Sequence, residues 1–210
     1  MPPVVCIVGK PKSGKTTLIT SLIPELQARG YRVATIKHTT HEFEIDTEGK
    51  DSFKHSHAGS QCSVISSNQK TALIRETDHD LSPSELARLI TDDFDIILAE
   101  GFKRSDELKI ETRKKGEEPA CSPEELLAVV SDDDPGLDIP WYSSGDILGI
   151  TSLIEGKVLS RKHKISVFAD GKPVPLKPFI VNLYHKIITD MIAPLKGVGK
   201  SKHIDISIRN

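Results

Sequence analysis

Gly9-Lys10-Pro11-Lys12-Ser13-Gly14-Lys15-Thr16 fits the pattern G-x-x-x-x-G-K-[ST] without deviation. The spacing has a chemical reason. Glycines let the backbone wrap an anion closely while successive N–H groups point inward, and a helix starting directly behind the loop adds the positive end of its dipole. In such a loop Lys15 reaches the β- and γ-phosphates of a nucleotide, and the Thr16 hydroxyl is placed to ligate Mg2+. A second acidic group belongs near the metal, at the carboxyl end of a strand, where ligands gather in open α/β sheets. Glu100, directly behind the apolar run Phe94-Asp95-Ile96-Ile97-Leu98-Ala99, is the first candidate; Asp46, in a long polar stretch, is the second.

Four histidines, His38, His41, His55 and His57, crowd that polar stretch. A zinc site needs three or four ligands at defined spacing. No cysteine pair accompanies these histidines, so polar loop residues facing a phosphate or a substrate are the better account of them.

The elements that must hold these groups follow from the pattern. Val4 to Val8 reads as a buried parallel strand. Leu18, Ile19, Leu22, Ile23 and Leu26 then mark one helix face, closed by Gly30. Pro24 inside that helix is expected to kink it or split off its last turn. Tyr31 to Ile36 completes a βαβ unit. Lys50 to Ala58 is a candidate short helix, and Ser63 to Ser66 and Thr71 to Ile74 are short strands around a turn. Ser82-Pro83-Ser84-Glu85 carries a capping box with proline at the first helical position. Strands are expected at Phe94 to Ala99, Leu108 to Ile110, Leu126 to Val130 and Ile139 to Tyr142, and Asp146 caps a helix running to about Glu155. Beyond it, Lys164 to Phe168 reads as a strand, Asp170-Gly171 as a tight turn, Val174 to Leu176 as its return, Phe179 to Ile192 as an amphipathic helix, and His203 to Ile208 as an alternating strand. The sum is an α/β fold with a mostly parallel sheet flanked by helices, residues 1–156, and a small α+β appendage, residues 157–210.

Composition agrees. The chain has 210 residues, 37% hydrophobic and 28% charged, the balance of a globular protein with a core of its own. No run approaches the roughly 18 apolar residues of a membrane span, and Met1-Pro2-Pro3-Val4-Val5 lacks the basic start of a secretory signal. Three cysteines without paired spacing fit a reducing cytoplasm. The net charge of -2 hides an asymmetry: residues 157–210 carry 11 Lys or Arg against 3 Asp or Glu, and residues 1–156 carry 17 against 27. Such a basic module meets an anionic partner or docks on an acidic one.

Taken in order, the loop, then Arg29-Gly30-Tyr31-Arg32-Val33-Ala34-Thr35-Ile36-Lys37-His38, Phe43-Glu44-Ile45-Asp46, Gly49-Lys50-Asp51-Ser52, Ala58-Gly59 and Glu100-Gly101-Phe102-Lys103 resemble the MobB family over about residues 1–155. These are GTP-binding proteins of molybdopterin-guanine dinucleotide biosynthesis. The resemblance implies a P-loop NTPase fold, a homodimer, weak GTPase activity with GTP and Mg2+, and assistance to a MobA-type guanylyltransferase acting on molybdopterin. It implies that Gly9, Lys10, Pro11, Lys12, Ser13, Gly14, Lys15, Thr16 and Thr17 hold the phosphates. It also implies that His38, Asp46, Lys50 and Asp51 form a loop facing the γ-phosphate and the substrate, and that Glu100 takes the acidic strand-end position. Lys15, Asp46 and Glu100 are then the catalytic set, with Thr16, Glu100 and Asp46 around the metal.

Two features depart from the pattern. Pro11-Lys12 replaces small residues, and Lys10 stands where dimeric relatives of the loop carry an extra lysine. The Asn-Lys-x-Asp guanine motif of ordinary GTPases is absent; Ser131-Asp132-Asp133 follows the strand where it would lie, and Asp132 is the candidate carboxylate for the base. Two rival readings share the loop. A small-molecule kinase needs lid arginines, and only Arg104 and Arg113 lie near. A nucleic-acid-binding ATPase would use the basic tail, but 5% aromatic residues leave little stacking surface.

Overall fold

The computed structural model describes residues 1–41, 43, 45–90, 94–160, 165, 167–169, 172–196, 204 and 206. They form two compact units, residues 1–37 with 82–210, and residues 38–81.

Val4–Val8 (β1) is buried along its whole length. Its alternate side chains feed two cores, Val5 and Ile7 on one face and Val4, Cys6 and Val8 on the other, as the period of two requires. Lys15–Ala28 (α1) buries Leu18, Ile19, Leu22 and Leu26. At its end Gly30, with φ 90°, donates to the Gln27 carbonyl at 2.9 Å, and Tyr31 N–H donates to that of Leu26 at 3.0 Å. This left-handed cap satisfies two terminal carbonyls. Of the two outcomes expected at Pro24, a kink or a split, the split does not occur: the helix runs unbroken from Lys15 to Ala28. Leu22 and Leu26, both fully buried in one core, hold the chain on either side of the proline and outweigh one missing backbone bond.

Val33–Lys37 (β2) closes the βαβ unit. The second unit then contains Asp51–His57 (α2) and an antiparallel hairpin of Cys62–Ser66 (β3) and Thr71–Arg75 (β4). The chain resumes the first unit at Pro83–Ala87 (α3). There the Ser82 side chain accepts from Glu85 N–H and the Glu85 carboxylate from Ser82 N–H, the capping box read from sequence. Ile96–Glu100 (β5), Leu108–Thr112 (β6), Leu126–Val130 (β7) and the two-residue Trp141–Tyr142 (β8) follow. Several strand expectations shift at their ends: Tyr31 to Ile36 becomes Val33–Lys37, and Leu108 to Ile110 extends to Thr112. Asp95 lies ahead of β5, its carboxylate taken by Arg32 N–H at 2.8 Å, and only the last two residues of Ile139 to Tyr142 pair.

The sheet has six strands in the order β2-β5-β1-β6-β7-β8, every neighbour parallel. From β1 the chain crosses to the edge strand β2 and later returns to place β5 between them, then continues through β6, β7 and β8 on the other side. The crevice beyond the carboxyl end of β1 is thus a topological switch point. Ile147–Ile154 (α4), with Asp146 accepting from Gly149 N–H at 2.9 Å, packs Ile150, Ile154 and the following Val158 into the core of α1. Ala87, Cys121, Phe94 and Phe102 cover the other face.

The basic segment contains an antiparallel pair, Val167–Ala169 (β9) with Lys172–Val174 (β10), and Pro178–Ile192 (α5), none of whose side chains is buried. Of the strand expected at 203–208 only Ile204 and Ile206 are described; both are exposed and outside any strand. Lys164, Ser166 and the Asp170-Gly171 turn lie outside the described residues.

Candidate functional site

The loop Gly9 to Thr16 leaves β1 at the switch point and runs straight into α1, the strand–loop–helix context its pattern requires. Gly9 has φ 147°, and a Cβ there would collide with the Thr112 carbonyl and lie 2.5 Å from Ser13 Oγ and 2.7 Å from Thr112 Oγ1. Glycine is therefore demanded by both conformation and space. Thr112, at the end of β6, is the anvil: its hydroxyl donates to the Val8 carbonyl at 3.2 Å and lies 2.7 Å from Ser13 Oγ. Inside the loop Ser13 N–H donates to the Lys10 carbonyl at 3.3 Å, and Gly14, with φ 98°, opens the helix. Lys10, Pro11, Lys12 and Thr17 are partly or fully exposed around it.

Lys15 Nζ donates to two loop carbonyls, Lys10 at 2.7 Å and Gly9 at 3.3 Å. Burial pushes its ammonium below the ordinary lysine range; Glu100 works the other way, while Lys103 and Lys37 deepen the depression. A desolvated ammonium held beside like charges is a seat for an anion.

Glu100 ends β5 beside the loop. Its Oε2 accepts from Thr16 Oγ1 at 2.8 Å and its Oε1 from Lys37 Nζ at 2.7 Å. Burial alone would raise its pKa, but the bonds from Lys37 and Thr16 and the charges of Lys37 and Lys15 outweigh it, and the carboxyl sits below its usual range. Thr16 gives its proton to Glu100, so its oxygen lone pairs stay free. A charged carboxylate beside a free hydroxyl oxygen is a hard oxygen donor set, which suits Mg2+, a cation that keeps several waters and takes few protein ligands. Among the described residues no group of three or more His, Cys, Asp or Glu is arranged to hold a metal ion by itself.

The remaining candidates lie on other elements and have partners of their own. Asp132, exposed behind β7, accepts at Oδ1 from Ser144 N–H at 3.1 Å and from its hydroxyl at 2.7 Å. These two bonds hold its carboxyl below the ordinary range. It thereby ties the loop after β7 to the loop after β8, on the same carboxyl edge of the sheet as Gly9. Asp46, His38, Lys50 and Asp51 belong to the second unit or its first residues. Asp46 Oδ1 accepts from Thr47 N–H at 2.9 Å and Ser52 Oγ at 2.8 Å, and its Oδ2 is buried without a partner among the described residues. His38 Nε2 pairs with Asp80 at 2.9 Å. Lys50 is the N-cap residue of α2, and Asp51, in its first turn, accepts from Lys54 at 3.2 Å. His57 stacks on Phe53, with centroids 3.9 Å apart.

Two contributors escaped the sequence reading. Lys37 stood inside a quoted motif without a role. Thr112 carried no signal at all, because its contact with Ser13 exists only once β6 is known to lie beside β1.

The MobB family model, molybdopterin guanine dinucleotide synthesis protein B, matches residues 4–132. A molybdopterin-guanine dinucleotide biosynthesis adapter protein of Escherichia coli (strain K12) is 37% identical, over 73% of this chain and 92% of that protein. A putative adapter protein of the same description from Methanocaldococcus jannaschii is 28% identical over 98% of this chain and 97% of that one. The crystal structure of a molybdopterin-guanine biosynthesis protein B superposes with a TM-score of 0.55 at 31% identity, covering 74% of this chain and 98% of its own.

Proposed function

The chain belongs to the MobB family, and from that premise we propose that it is a GTP-binding adapter of molybdopterin-guanine dinucleotide biosynthesis with weak GTPase activity. The observation that supports nucleotide binding best is the meeting of Lys15, Thr16 and Glu100 at the foot of one strained loop. Backbone N–H groups between Gly9 and Thr17, Pro11 having none, receive the phosphates; Lys15 leaves its two carbonyls for the phosphate oxygens. Thr16 and Glu100 are the residues that would hold Mg2+, which, when bound, draws charge from the β- and γ-phosphates. Asp46 is kept as a third acid of that set, with His38, Lys50 and Asp51 facing the substrate, and Asp132 reading the base.

At the molecular level the reading is of residues 1–156 as the nucleotide-binding domain and 157–210 as a basic module. The chain works as a homodimer beside a MobA-type guanylyltransferase, in the cytoplasm, with molybdopterin as the common substrate. Among the described residues no helix is long and apolar enough to cross a membrane.

Isothermal titration with GTP and ATP, each with Mg2+ and with EDTA, tests the reading. Tighter binding of GTP, strengthened by Mg2+, is expected. Preference for ATP with transfer of its phosphate to a small acceptor supports the kinase reading instead, and a salt-dependent affinity for RNA or DNA the nucleic-acid one.

A further inference from the structure

Lys37 ends β2 directly opposite Glu100 at the end of β5, the two residues paired in register. Its ammonium occupies Oε1 of the carboxylate at 2.7 Å, while Thr16 occupies Oε2 at 2.8 Å. The two donors have opposite consequences for a cation. Thr16 keeps lone pairs to offer; Lys37 brings a full positive charge to the place where the cation would sit. The pair is also unequal in freedom, for the Lys37 side chain is 65% exposed and that of Glu100 13%. The carboxylate is fixed and the ammonium can leave.

The surroundings say what it would leave for. Lys15 is satisfied on its own loop carbonyls, and both Lys37 and Lys103 lie close enough to bear on its charge. Lys37 and Lys103 thus add positive charge around Lys15, opposed by Glu100 and Glu117, in a chain whose residues 1–156 carry ten more acidic than basic side chains. That local positive charge suits a polyanion. Charge-assisted bonds from ammonium to carboxylate and to phosphate are of similar strength, so an exchange between them is cheap.

Resting on the nucleotide reading above, we propose that Lys37 is a displaceable counter-ion of Glu100: without nucleotide it neutralises the carboxylate and keeps a divalent cation out, and the phosphates of an arriving nucleotide draw it away, so that metal and nucleotide enter together. A mere strut for Glu100 would act differently. Removing a strut weakens the metal and the nucleotide alike; removing a competitor strengthens the metal alone and weakens the nucleotide.

The experiment uses the full chain and its Lys37→Ala and Lys37→Gln variants. The exposure of Lys37 keeps both variants folded, which circular dichroism checks. Mn2+ alone is titrated into nucleotide-free protein by electron paramagnetic resonance, and GTP is titrated in the presence of Mg2+. Both variants should bind Mn2+ about two- to fivefold more tightly, the scale of an ion pair with one exposed partner, and Mg2+ with GTP about tenfold more weakly, the scale of one charge-assisted bond. Glu100→Gln should abolish the Mn2+ response, showing that the titration reports this carboxylate. Unchanged or weakened Mn2+ binding in the Lys37 variants overturns the proposal. Wild-type protein that binds no GTP overturns the nucleotide reading instead, while the Mn2+ arm still decides whether Lys37 competes with a cation.

Discussion

Lys15 and Glu100 are partners in opposite states of comfort. The ammonium is depressed by burial and by its lysine neighbours; the carboxylate is held charged by Lys37 and Thr16 despite its burial. An anion relieves the first and a cation uses the second. Lys15→Ala should therefore cost GTP at least about a hundredfold in affinity, the scale of two charge-assisted bonds, with little change in melting temperature because no packed core residue is lost. Isothermal titration and a thermal melt check the two halves, and unchanged affinity would remove the loop from the site. Glu100→Gln should spare GTP binding in EDTA and remove the increment that Mg2+ adds. Its stability signature has a definite sign. Because the carboxyl titrates below its ordinary 4.5 in the folded chain, the charged form stabilises folding above that value, and the contribution fades as pH falls through the lower, folded one. The gap in stability between wild type and Glu100→Gln, measured by urea unfolding, should be full at pH 7 and close on the acid side. A gap independent of pH would mean that the glutamine harms packing rather than charge.

The elements show how much of this was legible in the chain itself. β1, α1 and the loop between them announce themselves, because a buried β-branched run, a glycine-bounded loop and a 3.6-residue stripe are all local patterns. So are the caps: Ser82 with Glu85, and Asp146 ahead of α4. Glu100 was legible as the residue ending a buried run. Thr112 and the Lys37–Glu100 pairing were not, since each is a contact between strands 63 or more residues apart, created by strand order alone. The split that Pro24 suggested fails for the complementary reason, a local rule overridden by tertiary burial of its neighbours. Two glycines separate the forces involved. Gly30 sits at φ 90° with nothing within 4 Å of a would-be Cβ, whereas Gly9 meets both an unfavourable φ and the Thr112 and Ser13 oxygens. Gly30→Ala should cost about 1 kcal/mol, from left-handed strain alone. Gly9→Ala should cost more, about 2–3 kcal/mol, and should damage GTP binding as well, because the collision pushes on the loop itself. Chemical denaturation of both variants beside GTP titration checks this; equal costs and intact binding would mean that Thr112 does not brace the loop.

The whole molecule carries its charge in two blocks, and among the described residues the basic block brings little burial with it. α5 exposes Phe179, Leu183, Ile187 and Met191 in a row four residues apart, each between 45% and 72% exposed. Side chains at this spacing form one ridge on a helix, and a ridge of four large apolar groups left in water is an unusual arrangement for a free monomer. Yet the core formed by β1, α1 and α4 is already closed at Val158, before the basic block's hairpin begins. On the proposed homodimer reading, core stability and ridge burial belong to different events, folding of one chain and association of two. A chain ending at Ser160 should keep its GTP affinity within about twofold, since no residue of the loop, of Thr112 or of Glu100 is removed. Full-length protein should show a melting temperature that rises with protein concentration, as mass action requires when a second copy covers the ridge; the shortened chain should melt at a temperature independent of concentration. Scanning calorimetry over about a hundredfold range of concentration, with analytical ultracentrifugation beside it, separates the cases. If both chains melt independently of concentration and sediment as monomers, the homodimer reading is wrong; if both sediment as dimers, the ridge is not where two copies meet, and Val64 and Leu73, exposed on the β3–β4 hairpin, are the next surface to test.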